Sequence, residues 1–545
     1  MSDALRRELE RIAASFGASD AVFVLERPRD SGHGDLATNL AMVLAKPLKT
    51  NPRALAERIV SELSLTTGVV SRTEIAGPGF INFWLPRDQL SSAVREVLEL
   101  GAAFGRSTFG GGRRVNVEFV SANPTGPLHV GHGRGAALGD GIAALLEWTG
   151  HEVTREFYIN DAGAQIDKLA WSLWARVHQA VGRDAEIPEG GYHGEYLRET
   201  AAELLAARGR GFADLPEAEA VAACRQVALE TQRHEQVQLL RDLRVYFAAW
   251  TSEQALYDSG KVGHALELLA ARDLTYEREN ALWLRTTAHG DDKDRVLRKS
   301  DGTYTYLAPD IAYHIDKRER GFDRVINVWG ADHHGYIARL RSVLSALGYP
   351  ADFFDVALVQ LVKVLKGGEE VKMSKRAGDF VALRELADEV GVDATRYFFL
   401  MRRGDTAFNF DVDLAKRQTE ENPVFYVQMA HARMSGIFRV AGIAPGDAGP
   451  EIDLTALPAA EDADLAKALP LFPAVVARAA RELEPHRVTS YLEDLARVTH
   501  AWYHHCRVLG EAPAVEKNRL ALAAAARSVL ANGLALLGLT APDRM

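Results

Sequence analysis

Two histidines, His129 and His132, stand three residues apart in the run Ser121-Ala-Asn-Pro-Thr-Gly-Pro-Leu-His129-Val-Gly-His132. On a helix that spacing puts both rings on one face, where ring N–H groups can donate to phosphate oxygens and the helix dipole favours negative charge. Gly131 between them leaves room for a flat base. The same run also suits a glycine-rich first turn with two incidental histidines. Far downstream, Lys372-Met373-Ser374-Lys375 follows Gly367-Gly368 and precedes Arg376. Two lysines on a pliant loop fit the β- and γ-phosphates of ATP, where charge accumulates during displacement at the α-phosphate. A solvated lysine loop is the plain alternative.

Both motifs need a frame. Arg114 to Val120 reads as a β-branched strand, Gly131 to Trp148 as a small-residue helix and Val153 to Ile159 as a second strand. That order is the unit of a parallel, doubly wound sheet, and such sheets bind nucleotides where a strand hands over to a helix. Residues Ala162 to Leu243 read as a helical insertion with a loop near Gly182 to Gly194. Val325 to Trp329 and Val356 to Val364 read as the sheet's second half, so the lysine motif should follow its last strand. Before the sheet, helical spacing from Asp3 to Ala14 and from Asp35 to Lys46 precedes strands at Val69 to Ile75 and Phe80 to Leu85, joined by Gly77-Pro78-Gly79. A break at Gly105 to Gly112 separates this α+β unit from the sheet. Beyond Phe408 the pattern is helical apart from a linker at Ala444 to Pro458, which indicates an all-α bundle. The expected units are 1–105, 106–404 with an insertion over about 162–243, and 405–545.

A chain of 545 residues, 25% charged and 47% hydrophobic, can bury several cores. Its net charge of −10 means that a polyanionic partner must be met by local positive patches. Cys224 and Cys506 offer neither a disulfide framework nor a zinc-ligand spacing, so a reducing cytoplasm and no tightly bound metal are expected. Met1 to Ile12 lacks an apolar export core, and no window approaches the ~18 uncharged apolar residues of a membrane span.

Together the His-Val-Gly-His and Lys-Met-Ser-Lys motifs resemble those of the class I aminoacyl-tRNA synthetases. The surrounding segments resemble the arginine-specific family along nearly the whole chain. They are His33-Gly-Asp-Leu-Ala-Thr-Asn39, Glu74-Ile-Ala-Gly-Pro-Gly-Phe-Ile-Asn82, Glu118-Phe-Val-Ser-Ala-Asn123, Tyr158-Ile-Asn-Asp-Ala-Gly163, Trp329-Gly-Ala-Asp-His-His-Gly335 and Asn422-Pro-Val-Phe-Tyr-Val-Gln-Met-Ala-His-Ala-Arg433.

The resemblance implies a Rossmann-like catalytic domain between an N-terminal α+β domain and a C-terminal helical bundle. It implies an enzyme that activates arginine with ATP and Mg²⁺ and transfers it to the terminal adenosine of tRNA(Arg). His129, His132, Lys372 and Lys375 would face phosphate charge, and Gly131, Gly330, Asp332, Met373 and Ser374 would line the ATP site. Tyr306, Asp310 and Glu253 would hold the planar guanidinium, for which carboxylates in fork geometry are the matching partners. Glu118, Ser121 and Asn123 would hold the α-amino and carboxylate end, with His334 or His333 nearby. Phe80 and Asn82 would read the tRNA elbow, and Tyr426, His431, Arg433 and Met545 the anticodon loop. Relatives favour a monomer and usually need tRNA bound before they activate arginine.

Three positions depart from the family pattern. Gly126 stands where many relatives carry a lysine, which leaves Lys375 alone to supply the charge that such a lysine would bring to the phosphates. Ala248 replaces an aspartate that often supports the segment around Glu253, and Asp393-Ala-Thr-Arg396 replaces Asp-Ala-Leu-Arg. The rivals are a synthetase for another amino acid, a small-molecule adenylyltransferase and an inactive RNA-binding paralogue. The absence of zinc-ligand cysteines, the helical bundle and the intact motifs weigh against each in turn.

Overall fold

The computed structural model describes residues 2–26, 28, 33–63, 70–84, 86–371 and 381–545. At its centre five parallel strands run in the spatial order Phe354–Val359, Arg324–Gly330, Arg114–Glu118, Glu152–Ile159, Ala249–Ser252. Chain order reverses between Arg114–Glu118 and Arg324–Gly330, and a crevice opens at the carboxyl ends of strands at such a switch point. Glu118 and Gly330 end the two strands that flank it. The helix Val130–Trp148 follows the first strand. It is buried along most of its length, and Gly139 lets it approach Phe119 where any side chain would collide.

The expected helix over Asp35 to Lys46 is only partly present. Leu36–Thr38 is a strand paired antiparallel with Phe80–Trp84, and the helix is confined to Leu40–Ala45. Phe80–Trp84 also pairs with Arg72–Ala76, while Leu25–Glu26 closes the other edge of this four-stranded sheet. The apolar run Val356 to Val364 divides as well. Gln360 accepts a hydrogen bond from the buried Arg134 at 3.0 Å, and Val362–Lys366 leaves the central sheet to pair with Glu369–Val371 and Phe408–Asp411. A strand therefore follows the Lys-Met-Ser-Lys motif, and the region beyond Phe408 opens in β-structure before its helices begin. A fourth sheet, Thr275–Arg278, Ala281–Leu284 and Arg295–Arg298, contains a hairpin whose turn residues Glu279 and Asn280 both have positive φ, as a two-residue turn of the primed type requires.

One apolar cluster joins the central sheet and the helix Val130–Trp148 to the C-terminal helices, including Pro423–Ala441, His486–His505 and Pro513–Leu536. By length and composition Pro513–Leu536 could cross a membrane, contrary to the sequence expectation, but it is mostly buried as the bundle's core helix. A second cluster packs the helices Leu307–Glu319 and His334–Ala346 against the sheet. Separate clusters lie inside the N-terminal unit and the insertion helices Ala164–Ala180, Glu195–Arg208 and Glu217–Asp242.

Polar contacts converge on the Asp393-Ala-Thr-Arg396 helix. The buried Arg396 donates to Asp140 at 2.6 Å, to the Leu243 carbonyl at 2.8 Å and to the Leu537 carbonyl at 2.9 Å. Asp393 accepts from Arg244 at 2.5 Å and Gln428 at 2.7 Å, and also from the Thr540 hydroxyl. Arg396→Ala would leave two buried carbonyls unmatched and Asp140 with only its Arg155 contact. The expected loss is about 3 kcal/mol of stability, read as a lowered midpoint in urea unfolding; a midpoint equal to the parent's would contradict it.

Candidate active site

The chain leaves the first central strand through a strained turn. Val120 has φ 66° and Ser121 φ 43°, a left-handed pair that costs most at a β-branched residue. The Ser121 hydroxyl donates to Glu118 at 3.1 Å and accepts from the Tyr158 N–H at 3.2 Å, fixing the turn between the first two strands. His129 is the N-cap of the signature helix. Its Nδ1 accepts from the Gly131 N–H at 3.1 Å and the His132 N–H at 3.4 Å. His132 Nδ1 accepts in return from the His129 N–H at 3.3 Å, and the two rings stack with centroids 3.7 Å apart. A ring nitrogen that accepts carries no proton, so Nε2–H is the donor on each neutral imidazole. Burial lowers the pKa of His129, and burial followed by the neighbouring His129 pushes His132 down to about 3. These are neutral hydrogen-bond donors near pH 7, not cations.

The signature turn is also tied to the segment after the lysine motif. Leu383 N–H donates to the Leu128 carbonyl at 2.9 Å, and Val130 N–H to the Val381 carbonyl at 3.2 Å. Lys372, Met373, Ser374 and Lys375 themselves lie outside the described residues.

Across the crevice, the helix Leu307–Glu319 carries Asp310, Tyr313, His314 and Lys317 along one side. The Tyr336 hydroxyl donates to Asp310 at 2.5 Å. Burial raises the Asp310 carboxyl to about 7, and the nearby Glu118 and Glu253 push the same way. Glu253 opens the helix Glu253–Asp258, and burial and then the charge of Asp161 raise its pKa, opposed by the hydroxyls of Tyr158 and Tyr257. Glu118 pairs with the fully buried Lys317 ammonium at 2.6 Å, which also sits 4.1 Å from the Tyr313 ring centroid. The crevice thus brings Glu118 and Glu253 near Asp310, with Lys317 paired to Glu118. Burial raises two of the three carboxyls, Asp310 and Glu253, so a further cation would favour their charged forms.

Other predicted residues are distributed less compactly. Asn123 donates to Gln165 at 2.6 Å, at the mouth of the signature loop. Gly330 ends the strand opposite Glu118, followed by the exposed Asp332 and by His333, 3.6 Å from it. His334 opens its helix, but its side chain lies outside the described residues. Tyr306 stands at the start of the Asp310 helix with 79% of its surface exposed and is not drawn in among the acids.

Of the residues expected to meet RNA, Phe80 is exposed whereas Asn82, two residues along the same strand, is buried. Arg433, Met545 and Tyr503 line a hollow of about 460 Å³, and Tyr426 lies on the same helix with its ring 4.4 Å from that of His500. His431 departs from expectation. It is buried, and its Nδ1 meets the Pro542 carbonyl at 2.9 Å, so it anchors the end of the chain instead of facing solvent. Helical periodicity explains this: Val427, Ala430, Met434 and Ile437 define the buried face, and His431 falls beside them.

The sequence reading missed Lys317, Tyr336, Tyr158 and Tyr257 as site residues. Lys317 had a readable signal, since residues 310, 313, 314 and 317 repeat at the spacing of one helical face. The others come from separate elements and meet only in three dimensions.

Three family models match the chain: an arginyl-tRNA synthetase N-terminal domain over residues 1–85, a class I (R) tRNA synthetase catalytic domain over 94–417 and a DALR anticodon-binding domain over 427–545. The arginine–tRNA ligase of Desulforudis audaxviator is 50% identical over 99% of this chain and 98% of its own length. That of Geobacillus kaustophilus is 48% identical over 100% of this chain and 99% of its own. The solved Thermus thermophilus arginyl-tRNA synthetase superposes with a TM-score of 0.76 at 26% identity, covering 100% of both chains. With motif order, fold and full-length similarity in agreement, the chain belongs to the class I arginyl-tRNA synthetase family.

Proposed function

We propose that arginine is activated and transferred in the switch-point crevice, with its guanidinium between Asp310 and Glu253 and its α-ammonium toward Glu118. The overall reaction is the ATP-dependent joining of arginine to tRNA. In the first step an arginine carboxylate oxygen attacks the α-phosphorus of ATP, the bond to the bridging oxygen breaks, and diphosphate leaves. In the second, a ribose hydroxyl of the tRNA's terminal adenosine attacks the carbonyl carbon, and AMP departs.

The observation that carries this reading is the gathering of Glu118 and Glu253 near Asp310, whose carboxyl burial raises to about 7. Each Glu118 oxygen already accepts one hydrogen bond, from Lys317 or Ser121, and keeps a second lone pair for the substrate ammonium. Ser121 and Asn123 flank that end of the substrate, and Tyr306 and His334 join the site when arginine is bound. His129 and His132 donate through Nε2–H without adding charge, so positive charge at the phosphates falls to Lys372, Lys375 and the Mg²⁺ that accompanies ATP as substrate. Gly131, Gly330, Asp332, Met373 and Ser374 complete the nucleotide site.

The units 1–105, 106–404 and 405–545 divide the work into tRNA elbow, chemistry and anticodon. Phe80 and Asn82 serve the first contact, and Tyr426, Arg433 and Met545 the last, with His431 supporting Met545 from behind. The reading is of a cytoplasmic monomer, in keeping with two buried free cysteines.

Two measurements test it. ATP–diphosphate exchange should proceed with arginine alone among the standard amino acids and only with tRNA present; exchange with another amino acid overturns the substrate, and full exchange without tRNA overturns the coupling. Arginine KM should respond to pH through Asp310. Below about 7 that carboxyl holds its proton in the empty site, so binding a cation must expel it. KM should then rise toward tenfold per pH unit, and Asp310→Asn should flatten this limb while raising KM at pH 8. A parental limb that is flat from pH 8 to 6 would remove Asp310 from the guanidinium site.

A further inference from the structure

The signature loop has an accounting problem. Pro124 and Pro127 have no N–H, and each restricts the residue before it to extended backbone. Residues 121–128 belong to no strand; the Leu128 carbonyl takes the Leu383 N–H, while those of Asn123, Thr125 and Gly126 take side-chain donors. These donors come from the helical insertion. The Tyr196 hydroxyl donates to the Thr125 carbonyl at 2.6 Å. The buried Gln236 amide donates to the carbonyls of Asn123, at 3.2 Å, and Gly126, at 3.1 Å, the two residues that precede the prolines. From the first insertion helix, Gln165 receives the Asn123 amide at 2.6 Å. Each of the three helices sends one side chain to the same short loop, from 42 to 113 positions along the chain. Gly126 faces Tyr196 so closely that an added Cβ would stand 3.3 Å from its hydroxyl.

The insertion also packs on itself. It has its own core of Leu169, Trp174, Leu204, Phe212 and Cys224, and the Tyr196 ring packs against that core while its hydroxyl reaches out. The loop, in contrast, sets where the chain enters the helix capped by His129, and so where both histidine rings stand. Displacement of a reacting group by about 1 Å costs on the order of a hundredfold in rate.

We propose that Tyr196 and Gln236 are positioning residues for arginine activation: through the carbonyls of residues 123, 125 and 126 the insertion holds the signature loop and His129 in reactive register. This rests on the proposed function for its kinetic readout and extends it to a part of the chain that does no chemistry. An insertion that served only to touch RNA would act through tRNA affinity; one that braces the loop acts on kcat.

The test uses the full-length protein and the variants Tyr196→Phe and Gln236→Met, which remove the hydroxyl and the amide donor. Each variant should lower aminoacylation kcat about tenfold, leave KM for tRNA within twofold of the parent and leave the unfolding midpoint unchanged. Hydrogen exchange should quicken at the amides of residues 121–133 and nowhere else. Parental kcat with parental exchange overturns the proposal. A raised tRNA KM at parental kcat overturns it in favour of an RNA contact, and a rate loss that tracks a lowered midpoint overturns it in favour of a purely structural role. If the parent charges no tRNA with arginine, the proposed function falls, while the exchange measurement still decides whether these side chains hold the loop.

Discussion

A buried guanidinium, that of Arg396, is the constraint through which distant parts of the chain are held in one arrangement. Its donors reach Asp140 on the signature helix, the Leu243 carbonyl where the insertion ends, and the Leu537 carbonyl in the last segment. Gly538, beside that carbonyl, has φ +71° and no room for a side chain against Arg396. A planar fork with fixed donors fits these diverging acceptors in a way that a lysine ammonium would not. Asp393, one helical turn earlier, repeats the arrangement with opposite charge and collects Arg244, Gln428 and Thr540. The helix that bears His129 and the helix that bears Tyr426 are thus referred to the same short segment. The continuous apolar cluster beneath supplies the burial that makes these polar contacts costly to break.

The crevice sorts charge by position. At the end proposed for the substrate side chain, burial raises the carboxyls of both Asp310, to about 7, and Glu253, so an entering cation would favour their charged forms. Lys317 already matches Glu118, which keeps the remaining deficit at the end where a guanidinium would lie. At the phosphate end the paired histidines spend Nδ1 on capping the helix and on each other's backbone, which fixes the tautomer and leaves Nε2–H as the donor. Preorganised neutral donors of this kind need little rearrangement as charge moves between phosphate oxygens.

Much of this was legible in the sequence because the relevant signals are local. The strand before Ser121, the small-residue helix after His129 and the parallel strands follow from patterns a few residues long. The N-terminal strand Leu36–Thr38 was obscured because its leucine and alanine spacing fits helical periodicity as well as alternation; pairing with Phe80–Trp84 decides it. The apolar run after Phe354 hid its division because nothing in that run announces that Arg134 binds the Gln360 carbonyl. His431 looked available because the face on which it falls is set by contact with the Pro542 segment, far away in sequence. Lys317 was not singled out, although it shares the face of Asp310. Tertiary partners, not local propensity, settled each of these cases.

The central claim is that buried carboxyls select the substrate by its positive charge. The most direct measurement compares tRNA charging with arginine and with citrulline, which has nearly the same shape but a neutral urea group in place of the guanidinium. The parent should prefer arginine by at least about a thousandfold in kcat/KM, and Asp310→Asn should narrow the ratio chiefly by losing arginine. Comparable charging with the two, or an unchanged ratio in Asp310→Asn, would contradict the account.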